Sequence, residues 1–386
     1  MDEWKILFVD DEDLILDSVS LALSDWARGR GVSILTAASA EAGLALLENE
    51  SARMALVVSD MRMPGMKGSD FLMRVRSLYP EIITILFSGY SDIPEIRKAI
   101  TAGIFSFILK PCDIDVLRAE IEKALDIRMT REERRIYQRR LEEELRWGGE
   151  LQKALLRCDL PENGDVSFSV TYQPLPGLQC GGDYYSLIPL PDAKYLCLIG
   201  DVSGHGIQGA FVTAMLKAWI SDGYMNRRRA APIDPADLLT WLNHSVCGEL
   251  NRIPDLLVTF AACLLDPAAM RLSYANAGHL PFHVVRDGGA IPMHAEGMAL
   301  GFASEAGYGT ETAALRPGDR IVFFTDGLVE VGAADGHVDA DVLRHLLCAK
   351  VPLSGFNDNL LRMALAAAGK DGFTDDVTVV SMDVKG

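Results

Sequence analysis

The sequence predicts two domains of different class: an α/β domain with a doubly wound parallel sheet, and an α+β domain behind a long helix. Three observations support this. Short apolar runs alternate with amphipathic segments up to about residue 125, residues 112–147 contain no Gly or Pro, and strand-like runs with grouped helices fill the remainder. The length of 386 residues suits two or three domains of about 100 to 200 residues each. We expect the boundaries 1–125, 126–158 and 159–386.

The first domain is predicted to alternate five strands with five helices, which implies a parallel sheet covered on both faces. The predicted strands are Ile6–Val9, Val32–Ala37, Ala55–Val58, Thr84–Phe87 and Phe105–Leu109. The predicted helices are Leu14–Trp26, Ala40–Leu47, Asp70–Leu78, Pro94–Ala102 and Ile114–Leu125.

Polar residues follow the carboxyl ends of these strands, where the ligand site of a doubly wound sheet lies. Asp10 and Asp11 close the first strand, Asp60 the third, Ser88 the fourth and Lys110 the fifth. Carboxylate oxygens beside an ammonium group suit a Mg²⁺ and phosphate site. The pattern therefore indicates a phosphate-handling edge of the sheet.

Residues 1–125 resemble the receiver domains of bacterial response regulators. The resemblance is carried by Val9-Asp10-Asp11-Glu12, Asp60-Met61-Arg62-Met63-Pro64, Gly68, Ser88-Gly89 and Lys110-Pro111. It implies that a cognate sensor histidine kinase supplies a phosphoryl group and that Asp60 accepts it.

The same resemblance implies a role for each residue around Asp60. Asp10, Asp11 and the backbone carbonyl of Arg62 would join Asp60 in holding Mg²⁺. The remaining implied residues are Lys110, which would pair with the phosphoryl oxygens, Ser88, which would hydrogen-bond one of them, and Phe107, which would swing inward with Ser88.

The stretch after Pro111 is predicted to form one long helix. Apolar residues recur at steps of three and four, with charged residues between them, so the helix needs a partner for its apolar stripe. We expect a parallel homodimeric coiled coil, the alternative being packing on the domain that follows, and a break or hinge at Gly148-Gly149. The stripe consists of Leu117, Ile121, Leu125, Met129, Ile136, Leu141, Leu145, Leu151 and Leu155.

The C-terminal pattern predicts an antiparallel α+β sandwich with segregated helices. The predicted strands are 166–172, 184–190, 195–199, 257–265, 272–275, 282–285, 320–324 and 377–382, with helices at 208–224 and 235–250 and two more before the last strand.

Four acidic motifs lie at the ends of these strands. A single Asp-Gly is more often a turn, but several Asp without cations among them repel one another unless metal ions neutralise them. A two-metal site activates a water for attack on phosphorus. The motifs are Gly181-Gly182-Asp183, Gly200-Asp201-Val202-Ser203-Gly204-His205-Gly206, Thr325-Asp326-Gly327 and Thr374-Asp375-Asp376-Val377-Thr378.

The four motifs, in this order, resemble the metal-dependent protein phosphatases (PPM), and most closely their sporulation-phosphatase (SpoIIE-like) branch. The match covers about residues 147–386 and includes Leu151-Gln152-Lys153-Ala154-Leu155-Leu156 and Asn276-Ala277-Gly278-His279. It implies a PPM-type β-sandwich flanked by helices, and two Mn²⁺ or Mg²⁺ ions. The implied ligands are Asp183, Asp201, the Val202 carbonyl, Asp326 and Asp375.

Several roles stay open at this point. Gly182 and Asp376 are secondary candidates beside the ligands, with Asp376 ranked after Asp375 on register. His205 is either a proton donor or a support for the ligand loop, and His279 has no role that we can derive.

The resemblance implies a response regulator that dephosphorylates phosphoserine or phosphothreonine on a partner protein under control of Asp60, the partner being an anti-sigma-factor antagonist. The alternative is a phosphorylation-controlled adaptor with a non-catalytic phosphatase-like domain. The net charge of −17 argues against nucleic acid as a partner. Seven scattered Cys and the absence of long apolar runs predict a cytoplasmic protein that binds no membrane.

Overall fold

The computed structural model describes the chain except for residues 1–2, 90–99, 102, 157, 159–163, 176, 205, 227–231, 251, 254–255, 332–337 and 386. The chain divides into two compact units, Met1–Arg140 and Leu141–Gly386. The predicted linker, residues 126–158, is divided between these two units, and a separate linker stays a prediction.

The first unit contains a parallel sheet of the predicted kind. Its strands are β1 (Trp4–Val9), β2 (Val32–Ala37), β3 (Met54–Asp60), β4 (Ile83–Gly89) and β5 (Ser106–Lys110). They are arranged in the order β2-β1-β3-β4-β5, and every neighbouring pair is parallel. The order changes direction between β1 and β3, which is where such sheets bind ligands.

Helices cover both faces of this sheet. They are α1 (Asp13–Arg30), α2 (Ala40–Glu50), α3 (Gly68–Leu78) and α4 (Ile114–Leu156). The α2 helix begins where the Ser39 side chain accepts a hydrogen bond from the Ala42 N–H, and α1 ends at Gly31 in the left-handed conformation. The predicted helix Pro94–Ala102 falls almost wholly outside the described residues.

The central strand β3 is buried along its whole length. Leu56 and Val58 pack on one face with Leu117 of α4, and Val57 packs on the other face with Phe71 of α3. Burying a side chain of this size contributes about 1.5 to 3 kcal/mol. A strand apolar on both faces therefore anchors the centre of the sheet, where β3 pairs with β1 on one side and with β4 on the other.

The second unit contains two five-stranded sheets, whose neighbouring strands are all antiparallel. The strands of the first are β7 (Asp183–Pro189), β8 (Tyr195–Val202), β9 (Val258–Asp266), β10 (Arg271–Ala277) and β13 (Glu311–Ala314). The strands of the second are β6 (Val166–Gln173), β11 (Phe282–Arg286), β12 (Gly289–Met293), β14 (Arg320–Phe324) and β15 (Val377–Val384).

The two sheets of the second unit pack face to face, with helices on their outer faces. In β14, Ile321 and Phe323 contribute to the core shared by both sheets, while Val322 and Phe324 pack against the outer helices. The helices are α5 (Ile207–Ala218), continued by a π-helical segment Trp219–Met225, then α6 (Pro235–Glu249), α7 (Ala340–Leu347) and α8 (Leu353–Ala368). The predicted fold class is confirmed for both units.

The long helix α4 differs from the prediction at one point. It continues through Gly148 and Gly149, where the sequence favoured a break. The physical reason lies in packing: a Cβ built on Gly149 would lie 2.1 Å from the Gln179 carbonyl oxygen, so this glycine lets the helix approach a neighbouring segment at backbone distance. Across the described part of the chain, no helix combines the length and apolarity needed to span a membrane.

Candidate functional site

The first site lies at the carboxyl ends of β1, β3 and β5. Asp10 directly follows β1, and Asp60 and Lys110 are the last residues of β3 and β5. Parallel pairing brings these ends to one edge of the sheet. Lys110 Nζ donates a hydrogen bond to Asp10 Oδ2 at 2.6 Å and another to Asp60 Oδ1. The two carboxylates and the ammonium therefore form one ion-paired cluster.

Lys110 remains a cation in this cluster. Burial opposes the charged form, but the hydrogen bonds to Asp10 and Asp60 outweigh it and raise the pKa of Lys110 above its ordinary value. The other Asp60 oxygen accepts a 2.5 Å hydrogen bond from the backbone N–H of Arg62. A positive charge and a backbone donor thus flank the carboxylate of Asp60, and its role as phosphoacceptor stays a prediction.

The remaining predicted residues of the first site differ in exposure. Asp11 is exposed, as expected of a carboxylate that an incoming ion must reach, and the Arg62 side chain is also exposed. Ser88 is fully buried, with its Oγ 3.4 Å from the Gly89 carbonyl oxygen, whereas Phe107 is 39% exposed. The roles predicted for Arg62, Ser88 and Phe107 stay predictions.

The second site is built from four segments of the second unit. Asp183 begins β7 and is the register partner of Asp201 near the end of β8. Asp326 opens a short 3₁₀ turn after β14, and Asp375 precedes β15, the strand that pairs with β14. The sandwich therefore gathers carboxylates that the sequence separates by up to about half the chain.

Asp183 has one satisfied and one unsatisfied oxygen. Its Oδ2 accepts hydrogen bonds from Thr325 Oγ1 at 2.8 Å and from Thr378 Oγ1 at 2.7 Å. Its Oδ1 is buried and has no hydrogen-bond partner among the described residues. A buried carboxylate oxygen without a donor is costly, and a bound cation would remove that cost.

The carboxylates of the second site raise one another's pKa. Burial, followed by Asp326 and Asp375, raises the pKa of Asp201 to about 7. Burial, followed by Asp375 and Glu330, raises the pKa of Asp326 to about 6. Burial, with Asp201 next, also raises the pKa of Asp183 well above its usual range. Clustered negative charge of this kind favours divalent cations.

The structure separates the two adjacent carboxylates Asp375 and Asp376. Asp375 is exposed, while Asp376 is buried and accepts 2.7 Å hydrogen bonds from the backbone N–H groups of Leu175 and Gly182. Asp375 is therefore accessible to an ion, whereas Asp376 fixes the backbone of Gly182, the residue before Asp183.

Gly182 and Val202 lie in backbone contact beside these carboxylates. The Val202 N–H donates to the Gly182 carbonyl at 3.2 Å, and a Cβ built on Gly182 would lie 2.4 Å from the Val202 carbonyl oxygen. Only glycine permits this approach. The ligand role predicted for the Val202 carbonyl stays a prediction.

The two histidines have different outcomes. His205 lies outside the described residues. His279 is buried, its Nδ1 is 2.8 Å from Thr259 Oγ1, and its backbone N–H donates to Asn276 Oδ1. Burial lowers the pKa of His279 to about 4, so the ring is neutral near pH 7.

The donor set of the second site fits divalent metal ions. Hard carboxylate oxygens, mutual repulsion and the unpaired Asp183 Oδ1 all favour such an ion. In the part of the chain that the structure describes, no three carboxylate, imidazole or thiol groups already converge on one point. The residues therefore form a set of candidate ligands rather than a closed coordination sphere.

Three residues with clear contacts at the second site received no role from the sequence. Thr325 and Thr378 hold Asp183, and Gln152 holds the backbone of Gly181. The threonines lie inside two of the acidic motifs, which is the only sequence signal for them. Gln152 belongs to the segment Leu151–Leu156 that the family resemblance includes, but this segment contains no acidic residue, and the contact of Gln152 with Gly181 is made across 29 residues.

Two families match the chain. The response regulator receiver domain matches residues 6–122, and stage II sporulation protein E (SpoIIE) matches residues 191–385. The phosphoserine phosphatase RsbU of Bacillus subtilis is 25% identical over 234 residues, covering 58% of this chain and 67% of RsbU.

Two further similarities concern the separate parts of the chain. The hydrogenase transcriptional regulatory protein HoxA of Cupriavidus necator is 36% identical over 122 residues, which is 31% of this chain and 24% of HoxA. The SiaA-PP2C domain of Pseudomonas aeruginosa has a TM-score of 0.55 at 22% identity, covers 64% of this chain and 98% of that domain, and so shows the fold. The chain thus spans about a quarter of HoxA but two thirds of RsbU.

The family match extends over half of the sequence, and the fold of the second unit agrees with it. The chain therefore belongs to the stage II sporulation protein E family of PPM-type serine/threonine phosphatases and carries a response regulator receiver domain ahead of its phosphatase domain.

Proposed function

We propose that this response regulator hydrolyses phosphoserine or phosphothreonine on a partner protein in a reaction that depends on divalent metal ions. The observation that carries the proposal is the pairing of Asp183 with Asp201 in register, with one Asp183 oxygen buried and unpaired. Asp326 and Asp375 complete the acidic set. The similarity to RsbU, a phosphoserine phosphatase, supports the same reaction.

The proposed reaction divides the work between metal and protein. Asp183, Asp201, Asp326 and Asp375 would hold two Mn²⁺ or Mg²⁺ ions, which when bound supply an activated water and neutralise phosphate oxygens. Thr325 and Thr378 hydrogen-bond Asp183 Oδ2, which would leave its Oδ1 available to an ion. The protein's own contribution is to hold a set of mutually repelling carboxylates together.

For the substrate we propose a phosphorylated anti-sigma-factor antagonist. The similarity to RsbU and to the SpoIIE family supports this choice. The test is release of phosphate from a phosphorylated antagonist protein compared with release from an unrelated phosphoserine protein at the same concentration. Equal rates on both would count against a dedicated substrate.

Control by a sensor histidine kinase is the second part of the proposal. Phosphorylation of Asp60, with Mg²⁺ held by Asp10, Asp11 and the Arg62 carbonyl, would change the rate of the phosphatase. The ion-paired cluster of Asp10, Asp60 and Lys110 supports Asp60 as the acceptor. Turnover should differ between protein treated with beryllofluoride, which mimics the phosphoryl group, and untreated protein. Turnover of Asp60→Asn should be the same with and without beryllofluoride.

We also propose a homodimer through α4. Trp147, Leu151 and Leu155 recur every four residues on this helix and are 71%, 46% and 39% exposed. An exposed apolar stripe on a helix favours a partner helix. A monomeric mass by light scattering at micromolar concentration would contradict the dimer.

The experiment that tests catalysis compares wild type with Asp201→Asn. Wild type should release phosphate from a phosphoprotein in Mn²⁺ but not in EDTA, and Asp201→Asn should release none while keeping its circular dichroism spectrum. Full activity of Asp201→Asn would refute the metal assignment. Lack of activity in the wild type would favour the alternative hypothesis of an adaptor with a non-catalytic phosphatase-like domain.

A further inference from the structure

The two glycines before Asp183 have all of their backbone hydrogen-bonding groups engaged. The Gly182 N–H donates to Asp376 and the Gly182 carbonyl accepts from the Val202 N–H. The Gly181 N–H and the Gly181 carbonyl both pair with one side chain, the amide of Gln152, at 3.1 Å and 2.8 Å. Gln152 therefore holds both sides of the residue two positions before the unpaired carboxylate.

Gln152 is itself held on every side. It is 3% exposed, its Nε2 also donates to Thr213 Oγ1 at 3.0 Å, and its Oε1 also accepts from the Tyr172 hydroxyl at 3.3 Å. These contacts fix the orientation of the amide, so its donor faces the Gly181 carbonyl and its acceptor faces the Gly181 N–H. A fully satisfied buried amide of this kind defines one conformation of the turn.

The helix that carries Gln152 approaches the same turn a second time. Gly149, one turn earlier on α4, packs so closely that an added Cβ would lie 2.1 Å from the Gln179 carbonyl oxygen. The last turns of α4 thus contact residues 179–181 through a backbone approach and an amide clamp. Any shift of these turns would move the segment that leads into Asp183.

We propose that Gln152 is a positioning residue of the phosphatase site, which sets the place of Asp183 by clamping the Gly181 peptide. The inference rests on the proposed function for the role of Asp183 as a metal ligand. The last turns of α4 would then help to position the metal site, although Gln152 itself contacts no reacting atom. Loss of a partner that hydrogen-bonds a metal ligand directly weakens metal affinity by about 10- to 100-fold. Gln152 acts on Asp183 through the Gly181 and Gly182 backbone, so we expect the lower end of that range.

The test is the Mn²⁺ affinity of the full-length protein, measured by titration calorimetry. The calorimetric signal that is lost in Asp201→Asn reports Mn²⁺ binding at the phosphatase site. The signal that remains in Asp201→Asn reports Mn²⁺ binding by the receiver domain. Gln152→Leu should weaken binding at the phosphatase site by about 10-fold. Turnover of Gln152→Leu should recover at high Mn²⁺ concentration, so that the metal dependence changes more than kcat.

Asn243 offers a matched control. It is a fully buried amide on α6 that also clamps a loop, donating to the Ala303 carbonyl at 2.8 Å and accepting from the Gly301 N–H at 2.9 Å. Asn243→Leu should lower the thermal stability as much as Gln152→Leu does, yet leave the Mn²⁺ affinity unchanged.

A second variant keeps the test decisive where Gln152→Leu does not fold. Gln152→Asn keeps a neutral amide that is one methylene shorter and can engage only part of the Gly181 backbone, so its Mn²⁺ affinity should fall by a smaller factor. Wild-type Mn²⁺ affinity in the folded Gln152 variants, or an equal loss in Asn243→Leu, would overturn the proposal. If Asp201→Asn abolished no Mn²⁺ binding, the failure would lie with the proposed function and not with Gln152.

Discussion

Asp376 accepts a 2.7 Å hydrogen bond from the backbone N–H of Gly182, the residue that precedes Asp183. Its other oxygen accepts from the Leu175 N–H, also at 2.7 Å. The two adjacent aspartates of this motif therefore have different roles. Asp375 is exposed at the acidic cluster, whereas both oxygens of the Asp376 carboxylate accept hydrogen bonds from backbone N–H groups. Register alone favoured Asp375 as the ligand, and this arrangement supports that choice.

The first prediction contrasts Asp375→Asn with Asp376→Asn. In Asp376→Asn the new amide nitrogen would face a backbone N–H, leaving a buried donor unpaired at a cost of about 1 to 3 kcal/mol. Asp375→Asn should change stability by less than about 0.5 kcal/mol because the side chain is exposed, but it should lose turnover. Calorimetric melting together with phosphate release checks both, and equal melting temperatures for the two variants would contradict the assignment.

The second prediction concerns the metal dependence of stability. Asp201 lies among Asp183, Asp326 and Asp375, so its negative charge is repelled when no cation is bound. In EDTA, Asp201→Asn should therefore melt at a higher temperature than wild type, by about 2 to 4 °C for each kcal/mol of repulsion relieved.

Adding Mn²⁺ should reverse that order. Wild type should gain stability because Mn²⁺ binds its folded state, whereas Asp201→Asn should gain little at the phosphatase site. Melting curves of both proteins in EDTA and in Mn²⁺ provide the measurement. Parallel responses of the two proteins to Mn²⁺ would speak against Asp201 as a ligand.

The sequence could predict the receiver unit because local patterns there coincide with tertiary structure. Continuous apolar runs such as Ala55–Val58 are buried strands, and polar residues at strand ends meet at one edge because the sheet is parallel. In the second unit, whose sheets are antiparallel, acidic motifs at predicted strand ends indicated the carboxylates Asp183 and Asp201, which the structure pairs in register. The sequence patterns did not predict β12 and β13, which are short edge strands with few buried residues and, in β12, a Gly and a Pro.

Contacts between residues far apart in the sequence could not be predicted, because they leave no periodic pattern of apolar and polar residues. The pairing of Gln152 with Gly181 across 29 residues follows from tertiary packing alone. The expectation of a hinge at Gly148-Gly149 was wrong for the same reason, since local helix propensity cannot register that Gly149 faces the Gln179 backbone.

The third prediction uses these two adjacent glycines as a matched pair. A Cβ on Gly148 meets nothing within 4 Å, whereas a Cβ on Gly149 would lie 2.1 Å from the Gln179 carbonyl oxygen. Gly148→Ala should stabilise the protein by up to about 1 kcal/mol through helix propensity. Gly149→Ala should destabilise it and weaken Mn²⁺ binding, because α4 must move away from residues 179–181.

Urea unfolding and Mn²⁺ titration of the two variants check this contrast. Similar effects of the two substitutions on stability would show that Gly149 has no special packing role. Loss of stability in Gly149→Ala without any change in Mn²⁺ affinity would limit that role to folding.

The fourth prediction is a pH dependence that arises away from the acidic cluster. His283 of β11 is 7% exposed and its ring stacks on Phe324, with a centroid distance of 5.6 Å. Burial, with His294 and Arg344 nearby, lowers the pKa of His283 to about 4 from the usual 6.5. Between these values the unfolded chain binds a proton that the folded protein does not, so stability is complete above pH 6.5 and falls as the pH drops towards 4.

His283→Phe should remove this component because phenylalanine does not titrate and can keep the stacking on Phe324. Lowering the pH from 7 to 5 should therefore destabilise wild type more than His283→Phe, by on the order of 2 kcal/mol. The measurement is the difference between the unfolding free energies at the two pH values, each variant serving as its own reference at pH 7. His244→Gln, at an exposed position on α6, should retain the wild-type difference, and the same pH difference in His283→Phe and wild type would show that His283 does not bind the extra proton on unfolding.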